Sequence, residues 1–226
     1  MDWRLPVAIA LAAIGLQACD REVRTTVIHP PNASLPDDAA LKPRTDTTQA
    51  QVPAPVSTLP AVRDPGDTQG AQLLAQKRLQ LPVLGAQPKS LSDQFSQGRT
   101  GHMHEAIDIL APAGTPVVAV EDGRVAKLFT SKAGGLTIYQ FDPETHLAYY
   151  YAHLQGYAPG LKEGMDLRRG DLIGYVGTTG NADAKTPHLH FTVFRLGTPP
   201  RWWQGEAVNP YPALARAQPT TQVAQR

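Results

Sequence analysis

The sequence predicts a mostly β protein, a compact antiparallel sheet domain preceded by a disordered tether. Two distributions carry that prediction. Every Phe, Tyr and Trp except Trp3 lies between Phe95 and Tyr211, and a chain without large side chains cannot pack a sizeable core. Within the aromatic part, short strand-like runs alternate with Gly and Pro at close spacing, and no convincing amphipathic helix interrupts them, the pattern of an antiparallel β domain.

The runs follow in order as 116–120 (PVVAV), 123–129 (GRVAKLF), 136–141 (LTIYQF), 147–153 (LAYYYAH), 171–176 (DLIGYV) and 189–194 (LHFTVF), with turn signals at Glu121-Asp122-Gly123 and Ala133-Gly134-Gly135. The domain is expected over 82–213, with 214–226 as a flexible tail. Upstream, Pro30, Pro31, Pro36, Pro43, Pro53, Pro55, Pro60 and Pro65 break any helix or sheet pattern. Residues 19–81 therefore read as a largely disordered linker, although 71–80 (AQLLAQKRLQ) has helical composition.

Composition excludes several functions. Lys plus Arg total 21 against 20 Asp plus Glu, without the basic excess of a nucleic-acid-binding protein, so no nucleic-acid partner is expected. A single cysteine, Cys19, rules out an intrachain disulfide and a multi-cysteine metal site. Residues 1–18 read as an export signal, with Arg4 before an apolar run of about a dozen residues. That run is short for a transmembrane helix, which needs about 20. Leu16-Gln17-Ala18-Cys19 resembles the bacterial lipobox, which implies a lipoprotein signal peptide and lipidation of Cys19. Asp20 would then follow the lipidated residue, a position associated with retention at the inner membrane. The expected location is the periplasmic face of the inner membrane, with the outer membrane as the lesser alternative.

Chemistry concentrates in the histidines. His104 and Asp108 lie four apart; on an extended strand they would stand ~13 Å apart, so the segment must turn if both bind one metal. His188 and His190, at i and i+2, share one strand face. Tyr149, Tyr151 and His153 are odd positions of one run and are expected to face one way. None of these patterns is specific taken singly.

Their order along the chain resembles the lysostaphin-type (LytM-like) zinc metallopeptidases, which cut peptide links in bacterial peptidoglycan. The resemblance rests on His104…Asp108, Tyr151-Ala-His153 and His188-Leu-His190-Phe191, and on the turns at 111–117, 122–125, 134–135, 170–174 and 177–182. Ser92-Asp-Gln-Phe95 and Arg99 are similar to the segment that opens the family domain. The resemblance implies a domain of the duplicated hybrid motif type with a substrate groove. It also implies one zinc ion per chain, held by His104, Asp108 and His190 with a fourth position for water. His188 becomes the general base and His153 the transition-state stabiliser or proton donor, two roles that can be exchanged. Tyr151 is a possible transition-state stabiliser, with packing as its alternative role.

The implied partners are peptidoglycan peptide stems or cross-links, and the membrane through the lipid anchor. Many family members carry Gly where this chain has Ala106, a swap that strains the backbone only if φ is positive there. His102 forms a second His-x-His with His104 and competes for the ligand role, though only His104 has the spacing to Asp108. Trp202-Trp203 lines a groove end or caps the core, with the core favoured. The competing functional reading is a catalytically inactive wall-binding module or an activator of a separate amidase.

Overall fold

The computed structural model describes residues 66–224. The signal peptide, Cys19 and the tether to residue 65 lie outside the described residues. Helix α1 (Thr68–Gln76) leads into two short strands, β1 (Gly98–Arg99) and β2 (His102–Met103), which pair as a small hairpin. The remaining strands are β3 (Ile107–Leu110), β4 (Pro116–Val118), β5 (Gly123–Ser131), β6 (Gly135–Phe141), β7 (Leu147–Tyr157), β8 (Asp166–Leu167), β9 (Leu172–Val176), β10 (His188–Arg201) and β11 (Gln204–Val208), followed by a short helix α2 (Tyr211–Leu214). They form one sheet in the order β11-β10-β7-β6-β5-β8, with β3 on β10 and β9 joining β7 to β4. Every pairing is antiparallel, so the fold class is as the sequence predicts.

The period-2 pattern explains the layering. Val125, Ile138, Tyr149, Tyr151, Leu189, Phe191 and Val193 are buried in the main core, together with Ile107, Ile109 and Ile173. Two polar side chains enter this core fully partnered. The Tyr151 hydroxyl donates to Gln140 Oε1 at 2.7 Å and accepts from the Val120 amide at 3.1 Å, while Gln140 Nε2 donates to the Glu121 carbonyl at 2.7 Å. Satisfied in this way, they add specificity to the packing instead of an unpaired-donor cost.

Two expected boundaries move. The segment read as the end of the linker is part of the domain: α1 packs on β10, β11 and α2, and Leu74, Leu79 and Leu81 are buried in the core. Nine residues are too few for a helix stable alone, so packing decides. Asp67 caps α1 by accepting from the Gly70 amide at 2.6 Å and also accepts from Arg195 Nε on β10. Gly70 has no room for a side chain, since a Cβ there would lie 2.3 Å from Val208 Cγ2. The expected tail is also packed. Leu214, Ala217 and Thr220 are buried, and the Leu81 amide donates to the Gln218 carbonyl at 3.0 Å. Both segments are short and polar in composition, and each buries only a few apolar side chains against a partner distant in sequence.

Candidate metal centre

His104, Asp108 and His190 converge through three separate local devices. The chain turns after His104 because Glu105 adopts φ +52, which brings His104 back over the start of β3. Positive φ falls on Glu105 and not on Ala106, so the alanine costs no backbone strain. Asp108 projects from β3 and pairs in register with His190 of β10. His188 and His190 share a face of β10 because Leu189 and Phe191 between and beyond them enter the core.

The result is a triangle of donor atoms. His104 Nε2 lies 3.1 Å from Asp108 Oδ1 and 3.3 Å from His190 Nδ1, and Asp108 Oδ1 lies 3.1 Å from His190 Nδ1. Ligands about 2 Å from a tetrahedral zinc stand roughly 3.3 Å apart, so the three atoms have the spacing one ion requires. These residues are the His/Asp group able to hold a metal among the described residues.

Hydrogen bonds fix the histidine tautomers. His104 Nδ1 meets the Gln94 carbonyl at 3.2 Å, His153 Nδ1 the Thr179 carbonyl at 2.8 Å and His188 Nδ1 the Thr186 carbonyl at 2.8 Å. A carbonyl only accepts, so Nδ1 carries the proton in each neutral ring and Nε2 keeps its lone pair. His188 Nε2 lies 3.7 Å from Asp108 Oδ1. The His153 ring stands 5.0 Å from that of His188 and 5.5 Å from that of His190, centroid to centroid. Four histidines and one aspartate therefore share one cleft.

The electrostatics favour ligation. Burial opposes ionisation of Asp108, but hydrogen bonds and charge from His104 and His190 hold its carboxyl well below the usual carboxylate range. Burial pushes His190 down, against the pull of Asp108. Burial, with the charge of His190, pushes His153 down to about 4. Asp108 is thus an anion and His153 neutral at neutral pH.

One expected site residue is corrected. Tyr151 does not share the face of His153. It is buried in the core, the packing role that was its alternative, and its one hydroxyl proton is donated to Gln140 while the oxygen accepts from Val120. The alternation breaks at His153, which adopts φ +59. Between Tyr151 and Leu154, β7 contains an extra residue relative to β6, where Ile138 and Leu136 are the partners, and such a bulge reverses the facing of everything after it. The bulge is pinned by the His153 amide donating to the Gly134 carbonyl at 2.8 Å. Tyr150 takes the cleft-facing place instead, its ring 6.2 Å from that of His190.

His102 is exposed and turned to the Thr100 carbonyl at 3.1 Å, outside the donor triangle. Trp202 is half-buried against Phe129 and Tyr139, but Trp203 is exposed, so the pair does not simply cap the core. Sequence reasoning gave no role to Gln94, which holds two ligands at once: its carbonyl accepts from His104, and its side-chain Oε1 accepts from the Asp108 amide at 2.9 Å. Arg99 Nη2 donates to the outer oxygen of Asp108 at 3.1 Å.

Comparison with known proteins covers the part of the chain that carries this site. Residues 102–210 match the model of Peptidase family M23. The L-Ala–D-Glu endopeptidase of Bacillus subtilis is 33% identical over 117 residues, covering 50% of this chain and 34% of that protein. The DD-carboxypeptidase/endopeptidase Mpg of Neisseria meningitidis is 34% identical over 127 residues, covering 56% of this chain and 25% of its own. The match thus spans about a third or less of these relatives. Among solved structures, a LytM protein of Ruminococcus gnavus, described as a candidate glycyl-glycine endopeptidase, superposes with a TM-score of 0.54 at 27% identity, over 69% of this chain and 68% of that one.

Proposed function

With a peptidase family M23 domain at residues 102–210 as the premise, we propose that this protein is a zinc-dependent endopeptidase that hydrolyses peptide cross-links of bacterial peptidoglycan in cell-wall remodelling. The observation that carries the proposal is the donor triangle of His104, Asp108 and His190 with two further histidines at its edge. The relatives support the substrate class, since their names specify bonds that involve D-amino acids, a feature of wall peptides.

His104, Asp108 and His190 would hold one zinc ion, which would supply Lewis-acid chemistry, lowering the pKa of water and polarising a scissile carbonyl. His188, its Nδ1 held by the Thr186 carbonyl, takes the proton of the attacking water at Nε2 as general base. His153, whose Nδ1 proton is held by the Thr179 carbonyl, steadies the developing charge or passes a proton to the leaving amine only after its Nε2 has taken up a proton, such as the one removed from the attacking water; the two histidines can exchange these roles. Arg99 and Gln94 orient the Asp108 and His104 side chains. The five residues named for metal and proton transfer are all present, which favours an active enzyme over an inactive wall-binding module.

The chain is exported and lipid-anchored through Cys19, with the tether presenting the domain to the wall from the periplasmic face of the inner membrane. Digestion of purified peptidoglycan, with mass analysis of the fragments, tests the activity. New peptide termini that disappear on chelation support the proposal; intact wall with zinc-loaded protein overturns it.

A further inference from the structure

A row of aromatic rings leaves the metal centre along the same face of the sheet, and the proposed chemistry does not use it. It begins at Tyr150, beside His190. Tyr139 is the cross-strand partner of Tyr150, with ring centroids 4.7 Å apart. Trp202 stands 5.1 Å from Tyr139 and 5.2 Å from Phe129, and Trp203 stands 5.5 Å from Trp202. The row exists because β10 runs past its pairing with β7 to Arg201 and turns back into β11, and that turn lays Trp202 against Phe129 of β5 and Tyr139 of β6, with Trp203 against Trp202. Two cations flank it, with Lys127 Nζ 6.0 Å from the Trp202 ring and Arg201 Cζ 5.8 Å from the Trp203 ring.

We infer that this row is a saccharide subsite, with Trp203 as its exposed stacking platform and Arg201 as a donor to sugar hydroxyls. The inference rests on the proposed function, in which the peptide under attack is attached to a glycan. A pyranose presents an apolar C–H face with a rim of hydroxyls. Aromatic faces carry the partial negative charge that attracts such C–H groups, and a guanidinium offers several donors to the rim. Area argues against a protein partner, which would bury several hundred Å² on each side. The large exposed apolar side chains among the described residues are Met103, Leu110 and Trp203, the last 37% exposed. One tryptophan face fits one sugar ring. Reach is also adequate, because the ring-to-ring steps are 4.7 to 6.2 Å and an extended peptide covers ~3.3 Å per residue. The four steps set an upper limit of about 22 Å between the His190 and Trp203 rings, so at most about seven extended residues of peptide connect a bond at the metal centre with a sugar at Trp203.

Calorimetric titration of the full chain with the tetramer of N-acetylglucosamine tests the subsite. Saturable binding is expected, undiminished after chelation, weakened at least tenfold in Trp203→Ala and largely kept in Trp203→Phe. The ratio of kcat/KM for a saccharide-linked peptide to that for the same peptide without sugar should also fall about tenfold in Trp203→Ala. Absence of saturable binding at millimolar tetramer, or equal binding by Trp203→Ala, overturns the inference, as does Trp203-dependent binding of an apolar peptide in place of the sugar. Cleavage of wall peptides without tetramer binding removes the subsite and leaves the hydrolase; Trp203-dependent binding without cleavage does the reverse.

Discussion

The carbonyl of Gln94 accepts the Nδ1 proton of His104 at 3.2 Å, and this bond leaves Nε2 as the nitrogen available to a metal. The same residue reaches Asp108 through its side chain, accepting from the backbone amide at 2.9 Å. Gln94→Ala keeps the first bond and deletes the second, leaving the Asp108 amide unpartnered. Loss of such supporting contacts typically costs 10–100-fold in metal affinity. A competition titration of zinc against a fluorescent chelator should show Gln94→Ala weakened within that range, and an unchanged affinity would remove the positioning role.

His190 and His188 sit two residues apart on one strand face, yet only His190 belongs to the donor triangle. His190→Ala should abolish stoichiometric zinc, measured by elemental analysis after gel filtration, at about one ion per wild-type chain. His188→Ala should retain the metal and lose turnover by a factor of 10² or more, the usual scale of general acid–base assistance. Equal metal loss in both variants would show that the division of roles is wrong.

Cys19 follows Leu16-Gln17-Ala18 at the end of the apolar run. Two acyl signals are generally needed for durable anchoring, and a lipidated N-terminal cysteine supplies them at a single residue. Cys19→Ser should therefore move the protein from the membrane fraction to the soluble exported fraction. If the variant stays with the membrane, the lipid anchor is not what holds it there.

What the sequence makes legible here is local. The His-Leu-His-Phe run announces which side chains share a face because strand alternation needs only neighbouring residues, and β10 obeys it. The same rule fails on β7, where Tyr-Tyr-Tyr-Ala-His carries no mark of a bulge. The positive φ of His153 is fixed by Gly134 and Thr179, residues brought close by other strands. Gln94 was unreadable for a related reason, since one of its two contacts is a backbone carbonyl that any residue would provide. The boundary near residue 82 was misplaced because α1 is short and polar, and its partners Val208 and Arg195 lie more than a hundred residues away.

His153 carries a pH signature. Burial and the charge of His190 push it down to about 4 from an ordinary value of 6.5. The unfolded chain then binds a proton between those values that the native state does not, so native stability rises with pH across that window. Stability from this group is complete above about 6.5 and is lost as pH falls towards 4. In chelated protein, the His153 ring followed by NMR should remain neutral at pH 5.5, with the thermal midpoint falling between pH 6.5 and 4. A ring that titrates near 6.5 would show that the site is wetter than the packing indicates.

The packing of α1 makes a prediction about the shortest stable domain. A fragment starting at Pro82 removes Leu74, Leu79 and Leu81, all buried, together with the Asp67 carboxylate that caps α1 and pairs with Arg195. Fully burying one leucine contributes about 1.5–3 kcal/mol, and a helix cap about 1 kcal/mol. Their sum rivals the 5–15 kcal/mol total stability of a typical domain. Residues 66–224 should accordingly unfold in a single cooperative transition, whereas 82–213, which also loses the strand-like contact between Gln80 and Gln218, should melt far lower or fail to fold. Equal denaturation midpoints for the two fragments would mean that the helix decorates the domain without supporting it. Asp67→Ala within the longer fragment isolates the cap and the ion pair. Burial opposes ionisation of Asp67, but Arg195 and the Gly70 amide hold its carboxyl below the ordinary value. The cost of Asp67→Ala should therefore be greatest above pH 4 and shrink as the pH falls through the carboxylate range.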